Sequence, residues 1–300
     1  MRNPPLRTLA LASLALSLIA NTCPLLYADD PAVISALKAK GGEITEISGE
    51  VTGLTFKDCK GLSETDYAQI RKLDHLKTLS CGLGLNDAGL KVLAGLPALE
   101  QLSTNGMTAS DEGVRALAAC KALRSIAFFH PGKSFSGTGL AALAAIQSLE
   151  RLTVAGSSEF ADEGMAAVAQ ITHLKEFRTW HSGATTEGVK KLQALKELKS
   201  LTIGQRLANK PPVTLSDDTV AALAEMPSVE MLSMQEARLS LSALSRLKQL
   251  PNLKRLTLDG IDIPEPQIAE LRQQLPKVDV KWTAPNDAAK KRIGSLFGPQ

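Results

Sequence analysis

Residues 99–121 read LEQLSTNGMTASDEGVRALAACK, and the same pattern returns along the chain. Copies begin at Leu76, Leu123, Leu149, Leu174, Leu198, Val229 and Leu253, about every 24 residues. Each opens as L-x-x-L-x-(apolar): Leu99, Leu102, Thr104; Leu149, Leu152, Val154; Leu198, Leu201, Ile203; Leu253, Leu256, Leu258. The last two positions of each set are two apart, the period of a strand buried on one side. A turn follows, often holding a glycine (Gly82, Gly106, Gly156, Gly204, Gly260). Next comes a helix start such as Asn86 with Asp87, Ser110 with Asp111, or Ser216 with Asp217 and Asp218. There a polar side chain accepts from the free first-turn amides, and an acid suits the helix dipole. Apolar pairs three apart (Val114 and Leu117, Leu140 and Leu143, Val189 and Leu192) then pack the helix onto its own strand. Strand, turn and helix repeated without reversal predict an α/β solenoid, a right-handed horseshoe. Its parallel sheet lies on the concave face and its short helices on the convex face.

The rest of the chain suits that reading. Hydrophobic residues make up 44% of 300 positions but aromatics only 4%, so the core is aliphatic and fits thin stacked layers. Residues 1–28 read as a signal peptide: Arg2 and Arg7 precede the apolar run 9–19, and Ala28 precedes Asp29 and Asp30, which places cleavage after Ala28. No other stretch approaches the ~20 apolar residues of a membrane span. The predicted location is therefore the periplasm, envelope or exterior, with no membrane insertion of the mature chain. Lys and Arg total 34 against 31 Asp and Glu, and two of the basic residues fall in the leader. So balanced a chain gives no reason to expect a nucleic-acid partner. Cys59, Cys81 and Cys120 follow the leader at three different repeat positions. They read as small buried hydrophobes, with Cys59–Cys81 the pair to consider if a bridge forms.

Domain limits follow. Residues 29–50 are a capping helix (about 32–40) and a linker. Residues 51–275 hold about nine units, the first a degenerate one with Val51, Leu54 and Phe56. Residues 276–283 form a closing strand in which Val278, Val280 and Trp282 alternate, and 284–300 are a flexible tail. The seventh unit is long: Leu201 and Leu232 stand 31 positions apart, with the extra piece at about 205–214.

The run L-x-x-L-x-L, a glycine-bearing turn and a T/S-D-x-G-L helix start resemble the leucine-rich repeat family. More narrowly, they resemble exported bacterial members with GTxVTDAGL-like units. GLGLNDAGL at 82–90 and GMTASDEGV at 106–114 carry the likeness, which covers about residues 32–282. It implies a leucine-rich-repeat solenoid that binds and does not catalyse, and it names no ligand. One departure stands out. Where many such repeats hold an Asn, Thr or Cys after the strand, this chain has Cys59, Gly84, Met107, Ser157, Ser182 and Ile261. Without a continuous polar ladder, the arc is expected to be locally irregular.

Aligning the units gives three columns facing away from the helices, mostly small and polar. The exceptions gather mid-chain: Phe129 and Trp180 in one column with Ala155 between them, ~10 Å apart by two strand spacings. Arg151, Glu176 and Arg178 lie beside them, with His130 and His181 at the edge. Exposed Trp, Phe and Arg are common interface anchors. The candidate partner-binding residues are therefore Phe129, Arg151, Glu176, Arg178, Trp180 and His181, around a small-floored slot with aromatic walls. The competing reading is that one ring folds over its neighbours and seals the sheet. A protein is the expected partner and a monomer the expected state. Carbohydrate or cell-wall stacking on Phe129 and Trp180 is the alternative. No cofactor or metal is expected: His130 and His181 are ~10 Å apart, far beyond a shared ion. Nor do the motifs of nucleophilic, zinc or nucleotide chemistry occur. The acidic pairs Asp111 with Glu112 and Asp162 with Glu163 recur at helix starts and read as caps. The recurrent Gly89, Gly113, Gly139, Gly164 and Gly188 read as close helix-to-strand packing.

Overall fold

The computed structural model describes residues 29–205 and 212–298. The leader read over 1–28, and residues 206–211 of the seventh-unit insertion, lie outside them. Strands β1 (Glu43–Ile47), β2 (Glu50–Asp58), β3 (Thr78–Leu83), β4 (Gln101–Asn105), β5 (Ser125–Phe129), β6 (Arg151–Ala155), β7 (Glu176–Trp180), β8 (Ser200–Gly204), β9 (Met231–Gln235), β10 (Arg255–Asp259) and β11 (Asp279–Thr283) form one sheet in chain order. β1 and β2 are an antiparallel hairpin, and every later pair is parallel.

Register is set by the buried alternation. Leu54, Leu79, Leu102, Ile126, Leu152, Phe177, Leu201, Leu232, Leu256 and Val280 stand opposite one another from strand to strand, all buried. A slip of one residue would turn this column to solvent. The expected irregularity is absent from the parallel strands; the register shift lies in the β1–β2 hairpin, between Thr45 and Glu46. The turns satisfy one another through backbone groups instead. Gly84 N–H donates to the Gly106 carbonyl at 3.0 Å, Gly106 to Phe129 at 2.8 Å, His130 to Ala155 at 2.8 Å and Gly156 to Trp180 at 3.0 Å. A side-chain ladder is therefore unnecessary.

Helices α1 (Pro31–Ala39), α2 (Glu64–Ile70), α3 (Asp87–Leu93), α4 (Asp111–Ala116), α5 (Asp162–Val168), α6 (Thr186–Lys191), α7 (Asp217–Leu223), α8 (Leu241–Leu244), α9 (Glu265–Gln274) and α10 (Asp287–Phe297) complete the fold, with a 3₁₀ stretch, Thr138–Ala145, between α4 and α5. Asn86, Ser110, Thr185 and Ser216 each accept from a first-turn amide of their own helix. The aspartate after the cap has another task, which corrects its reading as a cap: its carboxylate reaches into the next unit. Asp87 accepts from Ser110 N–H at 2.7 Å and Oγ–H at 2.8 Å. Asp111 accepts from Ser136 N–H at 2.9 Å, Ser136 Oγ–H at 2.7 Å and Gly139 N–H at 2.8 Å. Asp162 accepts from Thr185 N–H and Oγ1–H, both at 2.7 Å.

That aspartate explains the glycine at three of the five recurrent positions, Gly113, Gly139 and Gly188; Gly89 is crowded by Tyr67 and Leu85 and Gly164 by Phe160. A Cβ on Gly113 would lie 2.3 Å from Asp87 Oδ1, and one on Gly188 2.3 Å from Asp162 Oδ1. At Gly113, Gly139 and Gly188 the crowding is therefore between neighbouring helix starts and not, as expected, between a helix and its own strand. At the α6–α7 junction both partners change. Thr186 stands where the aspartate would be and Thr219 where the glycine would be; their hydroxyls meet at 2.8 Å.

Two expectations about the ends are corrected. Part of the 29–50 linker is β1, whose hairpin turns through left-handed Ser48 (φ 55°) and Gly49 (φ 85°). The flexible tail expected at 284–300 contains α10, a docked helix. Asn286 caps it, Ala289 and Ile293 are buried, and Arg292 Nη2 donates to both carboxylate oxygens of Glu236 at 2.9 Å. Arg238 ties down its end, donating through Nη1 to the Gly298 carbonyl at 2.7 Å. Cys59, Cys81 and Cys120 are buried and unbridged. The whole is an α/β leucine-rich-repeat solenoid.

Candidate binding surface

The sheet face away from the helices is chemically bland. Its strand positions alternate with the core column, and in β3–β9 they are mostly Ser, Thr, Gly, Ala, Gln and Asn. The charged residues within these strands are Arg151, Glu176 and Arg178, on adjacent strands. Arg151 and Glu176 stand directly opposite in register, and Arg178 opposite Thr153. Arg151 and Arg178 are exposed, while Glu176, Phe129, Trp180 and His181 are half-buried. No ion pair joins Glu176 to either arginine among the described residues. The structure thus gathers all six candidate residues on or beside β5–β7.

It does not form the expected slot. The rings of Phe129 and Trp180 lie 6.1 Å apart between centroids at 49°, not ~10 Å. Ala155 stands between them, and on the far side of Trp180 is Gly204, where even a Cβ would lie 2.5 Å from that of Trp180. With only a methyl group between them, the rings lean together and cover Ala155, which is 2% exposed. Such a pair contributes ~0.5–1.5 kcal/mol beyond its burial. The Arg178 guanidinium carbon lies over the indole, 5.3 Å from its centre. The feature is therefore a ridge, with an arginine cation over one of its rings.

His130 and His181 follow Phe129 and Trp180 directly, and both are left-handed, with φ 45° and 54°. Glu236 is likewise left-handed at φ 56°, whereas Gly106, Gly156 and Gly260 hold this conformation at the same point of other units. Left-handed backbone at a residue with a Cβ is strained by ~1 kcal/mol or more, so these side chains are held at the sheet edge against a preference. His130 Nδ1 meets Asn105 Oδ1 at 3.1 Å, and the ring covers Gly156. Burial holds the His181 imidazole below its ordinary pKa; the Arg292 and His130 charges act in the same direction and Glu236 opposes them. His181 is thus a neutral donor–acceptor near pH 7. Glu236 and Arg292 were missing from the sequence reading. A Glu at the point where Gly106, Gly156 and Gly260 stand in other units was the available signal for Glu236. Nothing local pointed to Arg292, which reaches Glu236 from 56 positions away.

The described residues contain no cluster of three or more His, Cys, Asp or Glu able to hold a metal ion. Nor is any described helix long and apolar enough to cross a membrane. No protein-family model matches the sequence, and no curated protein matches it. Among solved structures, an internalin C2 from Listeria monocytogenes is 15% identical, with a TM-score of 0.41, over 85% of this chain and 93% of that one. An internalin F from the same organism is 15% identical, with a TM-score of 0.49, over 89% of this chain and 80% of that one. The architecture rests on the sheet and its registers, and the function on the chain's own residues.

Proposed function

We propose that this chain is an exported, non-catalytic scaffold that recognises a protein partner on its sheet face, at Phe129, Arg151, Glu176, Arg178, Trp180 and His181. One observation carries the reading: the charged residues of seven consecutive strands lie together on two adjacent strands, with Arg178 over the Trp180 ring, on a face of small polar side chains. Aromatic and arginine anchors surrounded by small polar groups are the usual composition of an interface centre. Recognition along a broad solenoid surface needs no enclosed pocket. The glycan alternative is disfavoured because stacking needs a free flat ring, and the Trp180 indole already carries Arg178 and meets Phe129.

Export is part of the proposal, with the chain starting at Asp29 after cleavage. That residue already belongs to the fold, its carboxylate accepting from Val51 N–H at 2.5 Å. The test is chemical crosslinking of the chain from Asp29 onward in extracts of its native envelope. A crosslinked protein mapping to β5–β7, and lost in the Arg178→Ala/Trp180→Ala double variant, is the expected result. Crosslinks confined to the helix side, or unchanged by the double variant, would refute the assignment.

A further inference from the structure

The basic side chains within the strands are Lys57, Arg151, Arg178, Arg255 and Lys281. Lys57 pairs with Glu43 at 2.6 Å, and Arg255 and Lys281 with Asp279 at 3.4 and 3.9 Å. Arg151 and Arg178 are in no ion pair or side-chain hydrogen bond with any described residue. Arg178 nevertheless has a defined position, over the Trp180 ring. At 5.3 Å from the ring centre the guanidinium is held by cation–π attraction, and its N–H donors make no hydrogen bond to a described residue, so they stay available. A planar fork held in place with every donor free matches a carboxylate.

We propose that Arg178, supported by Arg151, receives the carboxylate of an acidic side chain on an extended segment of the partner protein. The Phe129–Trp180 ridge then receives an apolar side chain two residues further along that segment. The inference rests on the protein-recognition reading above and adds its chemistry.

The spacing follows from the strand. Arg178 and Trp180 are alternate residues of β7 on one face, ~7 Å apart. Alternate side chains of an extended ligand lying along the strand have the same separation, giving acid–x–apolar. Nearby face positions are Ala127, Thr153, Thr202 and Ser233, which leave room for the ligand backbone. Charge sets the number of acids. Arg151 and Arg178 against Glu176 leave one net positive charge, enough for a carboxylate but short of the near-dianion of a phosphorylated residue. Glu176, opposite Arg151, repels a second acid, so the motif is one acid and not an acidic run.

The test uses the chain from Asp29 onward and fluorescein-labelled peptides of Gly and Ser carrying Glu-Ser-Leu, Gln-Ser-Leu, Lys-Ser-Leu or phosphoserine-Ser-Leu, read by anisotropy. The Glu peptide should bind at least about tenfold more tightly than the Gln peptide, and more weakly as salt rises. Arg178→Glu should transfer the preference to the Lys peptide. Arg178→Lys keeps the charge but not the fork and should lose most of the gain. Arg178 is exposed, so unchanged circular dichroism of the variants confirms that they fold. Equal binding of Glu and Gln peptides, abolished by Trp180→Ala, would overturn the carboxylate inference and leave a protein-binding face. Preference for phosphoserine would overturn it in favour of a dianion. Binding of a uronic-acid oligosaccharide in place of the Glu peptide would overturn it in favour of a glycan. Absence of peptide binding would overturn it too, while the envelope crosslinks decide the broader reading separately.

Discussion

Asp111→Ala removes the most heavily used carboxylate in the described contacts between successive units. The carboxylate takes Ser136 N–H, Ser136 Oγ–H and Gly139 N–H, all within 2.9 Å and part-buried. A hydrogen bond to a charged group is worth ~1.5–3 kcal/mol. The three share one carboxylate and are not additive, and the Ser136 hydroxyl can turn to Thr138 Oγ1, already 3.2 Å away. The two amides cannot turn. The expected loss is therefore ~2–4 kcal/mol. Asp217 supplies an internal control. It occupies the same repeat position but accepts one such bond, from Ser240 N–H at 2.9 Å in an exposed setting; Asp217→Ala should lose only ~1 kcal/mol. Urea denaturation followed by circular dichroism measures both. Equal losses, or an Asp111→Ala loss below ~1 kcal/mol, would refute the claim that these bonds join the units. The difference also has a pH signature. Burial raises the Asp111 pKa, but the bonds from Gly139, Ser136 and Gly137 outweigh it and leave it below the ordinary 3.8. A depressed acid contributes stability above its unfolded value and loses it as pH falls through the folded one. Wild type and Asp111→Ala should therefore converge below about pH 3.8.

Three further outcomes are expected. Thr186→Asp sets a carboxylate against Thr219 and should destabilise by ~1–3 kcal/mol; adding Thr219→Gly should restore much of the loss, and no rescue in urea melts would break the pairing argument. Because α10 is docked, trypsin should cleave native protein slowly at Lys290, Lys291 and Arg292; rapid cleavage there in a mass-spectrometric time course would contradict the docked helix. His181 has a folded pKa below 6.5, so between the two values the unfolded chain binds a proton that the native chain does not. Stability should fall as pH drops below about 6.5, and His181→Asn, which tolerates left-handed backbone, should flatten that slope in pH-dependent melts.

The parallel strands and their order were readable because a two-residue alternation recurring about every 24 residues is visible without any contact information. Most of what was missed depends on contacts between units. Asp111 looks like a cap for its own helix because the serine it binds lies 25 positions away. The 287–297 segment, rich in Ala, Lys and Arg, looks loose until Glu236 is placed beside Arg292. The six candidate binding residues were singled out because they break a bland column, while the sequence left open whether a ring stands up or folds over its neighbours. Phe129 and Trp180 close over Ala155 because of what is missing between and beyond them, a packing fact with no local sequence signature.

The Asp–Gly and Thr–Thr junctions have a consequence for how such a chain can grow. A unit that begins its helix with glycine can follow any unit that offers an aspartate, so tandem duplication among those units keeps every seam compatible. Other seams differ: Gly164 follows Gly137, Ala243 follows Asp217, and in the seventh unit Thr219 follows Thr186. Placed behind Asp162 the seventh unit would drive the Thr219 side chain into a carboxylate, and a glycine unit behind Thr186 would leave a gap. An engineer lengthening the array would cut at the Asp–Gly seams and move Thr186 and Thr219 together.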